Sequence, residues 1–454
     1  MKGLNREILR LAIPSILANI TVPLVGMVDT FVAGHIQGGA GAAAFIGGIS
    51  VGSTLFSLLY WNFGFLRVGT GGLTAPAFGR GDSRDCALIL SRGVGLARGI
   101  AILTLALQIP FLWLAFKLVD CSDAVRELAT GYFFIRIWAA PATLSLMAFR
   151  GWFVGMQDSM SSMWTDLIVN VTNIAASVLL TFGVAGWEGL GFDGIAAGTL
   201  VAQYTGLLWA ILVCTIKYRS TFESVTRDDA RELLKPGSLL PFLKMNGHLL
   251  GRSLCFTAIY MGYTIIASGF GDVLLACSSI MMQLLMIFSY FTDGFAYAGE
   301  ALSGRFIGAR DPLMLKRTVR YVFIWSMSIA VLFIGIYALT GRPMIQLFTS
   351  DGNVVEAGTR FLPWLMIMPP LGCAAFTWDG IYLGATAASS LFQSMALAML
   401  GFFGVWFAWS WAGGASQSGD ICLHVLLAAY FAHLAARTIW LSLRYRRAIL
   451  SCVS

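Results

Sequence analysis

The residues of this sequence most able to do chemistry are ionisable side chains within long apolar stretches. Asp29 lies in the stretch Gly26-Met-Val-Asp-Thr-Phe-Val-Ala-Gly34, downstream of Pro14 and Pro23. A charge is costly inside a bilayer, and a carboxylate removed from water binds a proton more readily. We therefore expect Asp29 to gain and lose a proton in a physiological gradient. The alternative interpretation is a hydrated carboxylate near the mouth of a helix.

Two further acids, Asp293 and Glu300, share another apolar stretch and are seven residues apart. Seven residues are close to two helical turns, so both carboxylates lie on one face of a helix. Arg252 and Asp379 are further charges in apolar stretches, and we expect them to pair with these acids. The four residues form either an ion-pair network that clamps helices together or part of a substrate site or gate.

The uncharged candidates are amides, methionines and aromatic residues. Asn170 and Asn173 can hydrogen-bond to a cavity or to another helix, and we expect them to support ion coupling. A flat, lipophilic or cationic ligand would suit a cavity of flexible and aromatic side chains, or these residues only pack helices together. The candidates for the substrate cavity are Met281, Met282, Met286 and Tyr290.

Motifs for catalysis and for metal binding are missing from the sequence. It has no HExxH zinc motif, no G-x-x-x-x-G-K-[ST] phosphate loop and no G-x-S-x-G elbow, and its eight cysteines form no CxxC pair. Lysine and arginine fall in turns between apolar runs without interleaved aromatic residues, which argues against nucleic acid as a partner. We expect a protein that is not an enzyme, holds no cofactor or metal and is driven by an ion gradient or by no energy source.

The elements that must position these residues are membrane-spanning helices. Hydrophobic residues make up 57% of the chain and charged residues 12%, a balance that leaves a soluble globule with too little polar surface. The prediction is an all-α membrane protein with spans near 7–33, 42–78, 84–116, 124–148, 160–184, 194–217, 241–268, 273–306, 314–340, 353–383, 389–411 and 420–443.

Basic residues indicate the orientation of these spans. They cluster before the first run, at Arg80 and Arg84, in 217–244, in 305–320 and after the last run, whereas the alternate turns hold almost none. By the positive-inside rule both termini and the central loop face the cytoplasm of a multi-pass inner (plasma) membrane protein.

The chain is predicted to consist of two similar halves. The residues Pro141, Gly151 and Gly155 recur 229 positions later as Pro370, Gly380 and Gly384. We expect an N-terminal lobe of six helices at 1–217, a cytoplasmic linker at 218–240 and a second six-helix lobe at 241–454. Equal orientation of both copies implies a pseudo-twofold axis along the membrane normal.

Several longer motifs resemble one transporter family. They are Asn246-Gly-His-Leu-Leu-Gly-Arg252, Gly271-Asp-Val-Leu-Leu-Ala276, Asp293-Gly-Phe-Ala-Tyr-Ala-Gly-Glu-Ala-Leu-Ser-Gly-Arg-Phe-Ile-Gly-Ala309, Val28-Asp-Thr30 and Asp379-Gly-Ile-Tyr-Leu-Gly-Ala385. The chain resembles the DinF-like branch of the multidrug and toxic compound extrusion (MATE) family nearly end to end. The resemblance implies two six-helix lobes that open alternately to each side while a cation gradient drives export, with the acid that matches Asp29 linked to protonation.

The sequence departs from the family pattern in the fifth span. There the motif usually reads Asn, three residues, then Asp, whereas Asn173 is followed at the fourth position by Ser177. A serine carries no proton charge, so coupling falls on Asp29 alone or also on the acids of the second half. We expect a monomeric antiporter that exports small amphiphilic or cationic compounds in exchange for protons. The alternatives are sodium coupling, a flippase for a lipid-linked precursor, and a membrane-embedded enzyme.

Overall fold

The structure is a computed structural model that describes residues 2–36, 41–119, 121–184, 186–225, 236–414 and 417–453. In the first half the helices are α1 (Lys2–Gly34), α2 (Gly41–Trp61), α3 (Phe65–Gly79), α4 (Ser83–Ala106), α5 (Gln108–Leu118), α6 (Asp123–Arg136), α7 (Ala140–Gly155), α8 (Ser159–Phe182), α9 (Asp193–Lys217) and α10 (Arg219–Glu223). In the second half they are α11 (Pro236–Ser268), α12 (Asp272–Gly308), α13 (Pro312–Phe348), α14 (Gly352–Gly384), α15 (Ala388–Trp411) and α16 (Gly419–Ala448).

Twelve helical segments in the described ranges are long and apolar enough to cross a membrane. Each predicted apolar run overlaps one of them, which confirms the twelve-span, all-α prediction. The predicted spans differ from the observed helices at three places. The second and fourth spans are interrupted by 3-10 turns at Asn62–Gly64 and Ile137–Ala139. The third ends at Ala106, because Pro110 has no N–H to continue the helical ladder and instead lies in the first turn of α5.

One compact unit of the chain is Leu17–Phe242. In it α2 packs on α6, α3 and α4 pack on α7, and α8 lies along α9. Buried apolar side chains fill the space between α2, α6 and the start of α9, among them Phe56, Phe133 and Ile195. This packing fixes the helices that carry Asp29 and Ser177.

The other unit comprises Met1–Ile16 and Leu243–Ser454. Its helix α12 packs on α13 and α14, and α15 packs on α16. The beginning of α1 joins it through an ion pair of 3.5 Å between Glu7 and Arg305 and a hydrogen bond of 3.2 Å from Trp325 Nε1 to Asn5 Oδ1. Residues 226–235 of the predicted linker lie outside the described residues, and the predicted domain boundaries stay a prediction.

The repeated glycines make the same kind of helix contact in each unit. A Cβ atom at Gly151 would collide with the backbone of Arg67, and one at Gly380 would collide with the backbone of Ala296. Arg67 and Ala296 are themselves 229 positions apart. The close approach of α7 to α3 therefore has its counterpart in the approach of α14 to α12, and only glycine allows it.

Candidate functional site

Asp29 lies in a buried polar cluster, which we call the Asp29 cluster and which comprises Asp29, Tyr132, Arg136 and Ser177. Asp29 is 6% exposed and interacts with Ser177 of α8 and with Arg136 of α6, while the Ser177 hydroxyl also donates to the Ile195 carbonyl at 3.5 Å. Its Oδ1 has no hydrogen-bond partner among the described residues. The site thus holds a carboxylate with one oxygen unsatisfied and away from water.

Aromatic rings surround the Arg136 guanidinium of the Asp29 cluster. It donates a short hydrogen bond to the Tyr132 hydroxyl, and its central carbon lies 4.7 Å from the ring centre of Phe56. Tyr60 of α2 also interacts with it electrostatically. These contacts hold the positive charge of Arg136 beside Asp29. The partners that the structure describes for Arg136 include no second acid.

The two predicted asparagines hydrogen-bond to threonines of neighbouring helices. Asn170 Nδ2 donates to Thr21 Oγ1 at 2.7 Å, which joins α8 to α1. Asn173 is buried, and its Nδ2 donates to Thr199 Oγ1 of α9 at 3.0 Å. Asn173 lies one helical turn before Ser177, so it borders the Asp29 cluster on α8. Both amides help to fix the helices that carry the cluster.

A second charged cluster lies in the other unit and comprises Arg252, Asp379, His433 and Arg437. Arg252 of α11 and Arg437 of α16 both donate short hydrogen bonds to Oδ2 of Asp379 on α14. Arg437 is 1% exposed, and fully buried His433 bonds through Nδ1 to the Tyr430 carbonyl. Arg252 and Asp379 are therefore partners of each other, and two arginines share one carboxylate.

The remaining predicted residues all lie on α12. Asp293 is half-buried and interacts electrostatically with Tyr290, whereas Glu300 is fully buried beside the backbone of Gly384 on α14. Met281 and Met282 belong to the hydrophobic core and line a space of only about 10 Å³. Met286 is half-buried. The role of these residues in a substrate cavity stays a prediction.

Sequence reasoning missed two arginines within membrane spans, half-buried Arg136 and buried Arg437. Both lie inside predicted apolar runs, at 124–148 and 420–443. The rule that singled out Arg252, a charge at membrane depth, applies equally to them. Tyr132 and His433 carried no such signal, because their importance follows only from the arginines beside them.

Comparison with known proteins identifies the fold and the family. The family model described as MatE matches residues 14–179 and 249–409. The chain is 33% identical over 445 residues to DNA damage-inducible protein F of Escherichia coli (strain K12), and the alignment covers 98% of this chain and 92% of that protein. The chain belongs to the MATE family. This membership confirms the predicted DinF-like resemblance.

More distant relatives and solved structures agree with this assignment. A probable multidrug resistance protein NorM of Caulobacter vibrioides is 26% identical over 84% of this chain and 78% of that protein. The crystal structure of MATE in complex with MaL6 superposes with a TM-score of 0.83 at 16% identity, covering 98% of this chain and 97% of the other. The protein is thus a MATE-family efflux transporter of a membrane and not an enzyme, as predicted.

Proposed function

We propose that this MATE transporter exports amphiphilic or cationic organic compounds in exchange for protons, and that Asp29 carries the coupling proton. The observation that supports this proposal is the unsatisfied Oδ1 of buried Asp29. An ionised oxygen without a donor is costly in a buried site, and binding of a proton removes that cost. The same carboxylate is stabilised in its ionised form by Arg136 and Ser177. Asp29 therefore has partners that favour its ionised state and one oxygen without a donor, which favours its neutral state.

Protonation of Asp29 changes how α1 is held against α6 and α8. The ionised carboxylate attracts Arg136 of α6, and the neutral carboxyl loses most of that attraction. Asn170 and Thr21 keep a neutral hydrogen bond between α8 and α1 in both states. A proton therefore weakens the link of α1 to α6 and leaves the link between Thr21 and Asn170 unchanged. Such a local change can shift a transporter between its two conformations.

Ser177 limits the Asp29 cluster to a single titrating acid among the partners described here. It interacts with Asp29 at the position where the family motif usually places a second acid. We propose that this lobe carries one proton in each cycle. Asn170 and Asn173 act as positioning residues that hold α8 against α1 and α9.

The exposed surface of α1 favours the proposal that the substrate is amphiphilic. Met27 and Phe31 are 67% and 63% exposed, and with Pro23 and Ile46 they border a space of about 770 Å³. That size is within the range of about 300–1,000 Å³ typical of small-molecule sites. The methionine and phenylalanine side chains can adapt to lipophilic compounds of different shape. The name of the NorM relative, a multidrug resistance protein, agrees with this substrate class.

We also propose that the protein works as a monomer in the plasma membrane with both termini in the cytoplasm. The support for the orientation is the distribution of basic residues, which fall in alternate turns. The bacterial relatives support a plasma membrane location.

The test is transport into proteoliposomes with a fluorescent organic cation. Wild-type protein should move the cation when a pH gradient is imposed, and Asp29→Asn should abolish this movement while it leaves binding of the cation intact. Asp272→Asn is the matched control, because Asp272 is an exposed acid in the first turn of α12. Proton-driven export by Asp29→Asn would show that Asp29 is not the coupling residue. Transport by wild-type protein under a sodium gradient alone would instead establish sodium coupling.

A further inference from the structure

Arg98 is an exposed arginine within a membrane span and is not explained by the transport mechanism. It lies 15 residues after the first residue of α4, Ser83, which corresponds to about 22 Å along the helix. The structure gives it no ion pair or hydrogen bond with any described residue. An ionisable group at membrane depth is costly unless it meets an opposite charge or water. No residue that the structure describes therefore supplies its counter-charge.

Arg98 lines an open groove on the surface of the unit Leu17–Phe242. The groove is lined by residues of α4 and α9, by Phe149 of α7 and by Phe222 of α10. The volume is about 760 Å³, and the apolar walls include Leu90, Val94 and Ile211. The groove is open, and its α4 side belongs to a membrane span, so a lipid of the bilayer can enter it.

The charges of the groove favour an anion. Arg98 and Arg219 oppose the single acid Glu223, which leaves one net positive charge. Arg219 pairs with Glu223 at 2.7 Å, but their side chains are 78% and 61% exposed, and an ion pair this exposed contributes little. Arg219 is therefore available to a stronger partner.

The directions of the helices bring the two arginines toward each other. Side chains of an α-helix lean toward its N-terminus, so Arg98 leans toward the start of α4. α10, which begins with Arg219, packs against α4. Both arginines line the same groove, which therefore offers positive charge to an anionic headgroup and apolar walls to an acyl chain.

We propose that this groove binds one anionic phospholipid, with its phosphate at Arg98 and Arg219 and an acyl chain along Leu90, Val94 and Ile211. A guanidinium group binds phosphate through two parallel hydrogen bonds. A zwitterionic lipid also carries a phosphate, but its lower net negative charge makes it a weaker partner for the two arginines. The bound lipid supplies a counter-charge that no described residue gives Arg98. This inference is independent of the coupling role of Asp29.

Two substitutions test the charge and the shape of the groove separately. Arg98→Gln removes the phosphate contact, and its control Arg446→Gln removes one exposed arginine from α16. Gly95→Leu fills the groove without a change of charge, because a Cβ at Gly95 meets no heavy atom within 4 Å. Its control is Gly99→Leu, which is equally open but does not line the groove.

The measurement is native mass spectrometry of purified full-length protein exchanged into phosphatidylglycerol or phosphatidylcholine. We expect wild-type protein to retain one phosphatidylglycerol in preference to phosphatidylcholine. Arg98→Gln should weaken retention about fivefold, the effect of one lost cation near a lipid headgroup. Gly95→Leu should weaken it similarly, and both controls should match wild type.

Three results would overturn the proposal. They are equal retention of the two lipids, unchanged retention by Arg98→Gln, and unchanged retention by Gly95→Leu. If Gly95→Leu alters only the KM for transport of the organic cation, the groove is a substrate path and the lipid proposal is wrong. Thermal unfolding of each variant checks the fold, and Gly95→Leu decides the question if Arg98→Gln unfolds.

Discussion

Arg136 gives the Asp29 carboxylate a counter-charge within the same buried cluster. Its guanidinium is fixed by Tyr132 and by the ring of Phe56, so it cannot easily follow Asp29 if α1 moves. The strength of this attraction therefore depends on where α1 lies. This dependence is the physical link between a proton on one residue and the position of a helix.

Replacement of Arg136 by Gln is expected to change the pH dependence of transport. A buried carboxylate without its cation holds a proton to a higher pH, so the pH of half-maximal proton-driven transport should rise by about one unit. The measurement is initial transport rate in proteoliposomes against pH. Arg126→Gln, an exposed arginine on the same helix, serves as the control. An unchanged pH profile would show that Arg136 does not act on Asp29.

At the scale of elements, Asp158 joins α8 to the end of α9. Its Oδ1 accepts the Ser161 amide at 3.2 Å as the cap of α8, and its Oδ2 accepts Lys217 Nζ at 2.6 Å and the Tyr218 hydroxyl at 2.7 Å. Burial alone raises the pKa of the Asp158 carboxyl, but these hydrogen bonds and the Lys217 charge together lower it below its ordinary value. The ionised carboxylate therefore stabilises the folded protein.

Asp158→Asn should lower the free energy of unfolding by about 1 kcal/mol at neutral pH, because Asn keeps the helix cap but loses the ion pair with half-exposed Lys217. The lowered pKa means that this stabilisation is complete above the ordinary aspartate pKa of about 3.9 and is lost as the pH falls through the lower folded value. Thermal unfolding of wild type and variant from about pH 7 to about pH 3 measures the difference. A difference that grows as the pH falls would contradict the assignment.

At the scale of the whole molecule, the two halves share a scaffold and differ in charge. Arg150 and Asp379 are 229 positions apart, so they occupy equivalent places on α7 and α14. Arg150 pairs with Asp166 at 2.6 Å, whereas Asp379 pairs with Arg252 and Arg437. Asp29 has Ala258 at its equivalent position. The duplicated helices therefore place opposite or missing charges at matching sites, which suits different roles for the two halves.

Two native cysteines test the proposed membrane orientation. Cys121 lies between the third and fourth spans and is partly exposed, and Cys452 is exposed after α16. With cytoplasmic termini, the two thiols lie on opposite sides of the membrane. In single-cysteine variants, a membrane-impermeant maleimide should label Cys121 in intact spheroplasts and Cys452 only in inside-out vesicles. Labelling of both from one side would contradict this topology.

The sequence alone determined the spans, because hydropathy is a local property that lipid imposes on each segment. It also determined that Asp29 and Asp379 are charges at depth, and its glycine spacing predicted the repeat. The sequence did not predict the helix breaks near Leu107 and Ile137, because each break depends on where a proline falls relative to the helix start.

Only the tertiary structure decided which charges meet. Arg136 and Ser177 are more than 100 residues from Asp29, and Arg437 is 58 residues from Asp379. Contacts across such separations follow from which helix faces pack together, and no local pattern encodes that. The sequence therefore predicted which ionisable groups are costly at membrane depth. The packing of the helices decided that Asp29 is a candidate proton site and that Asp379 is the partner of two arginines.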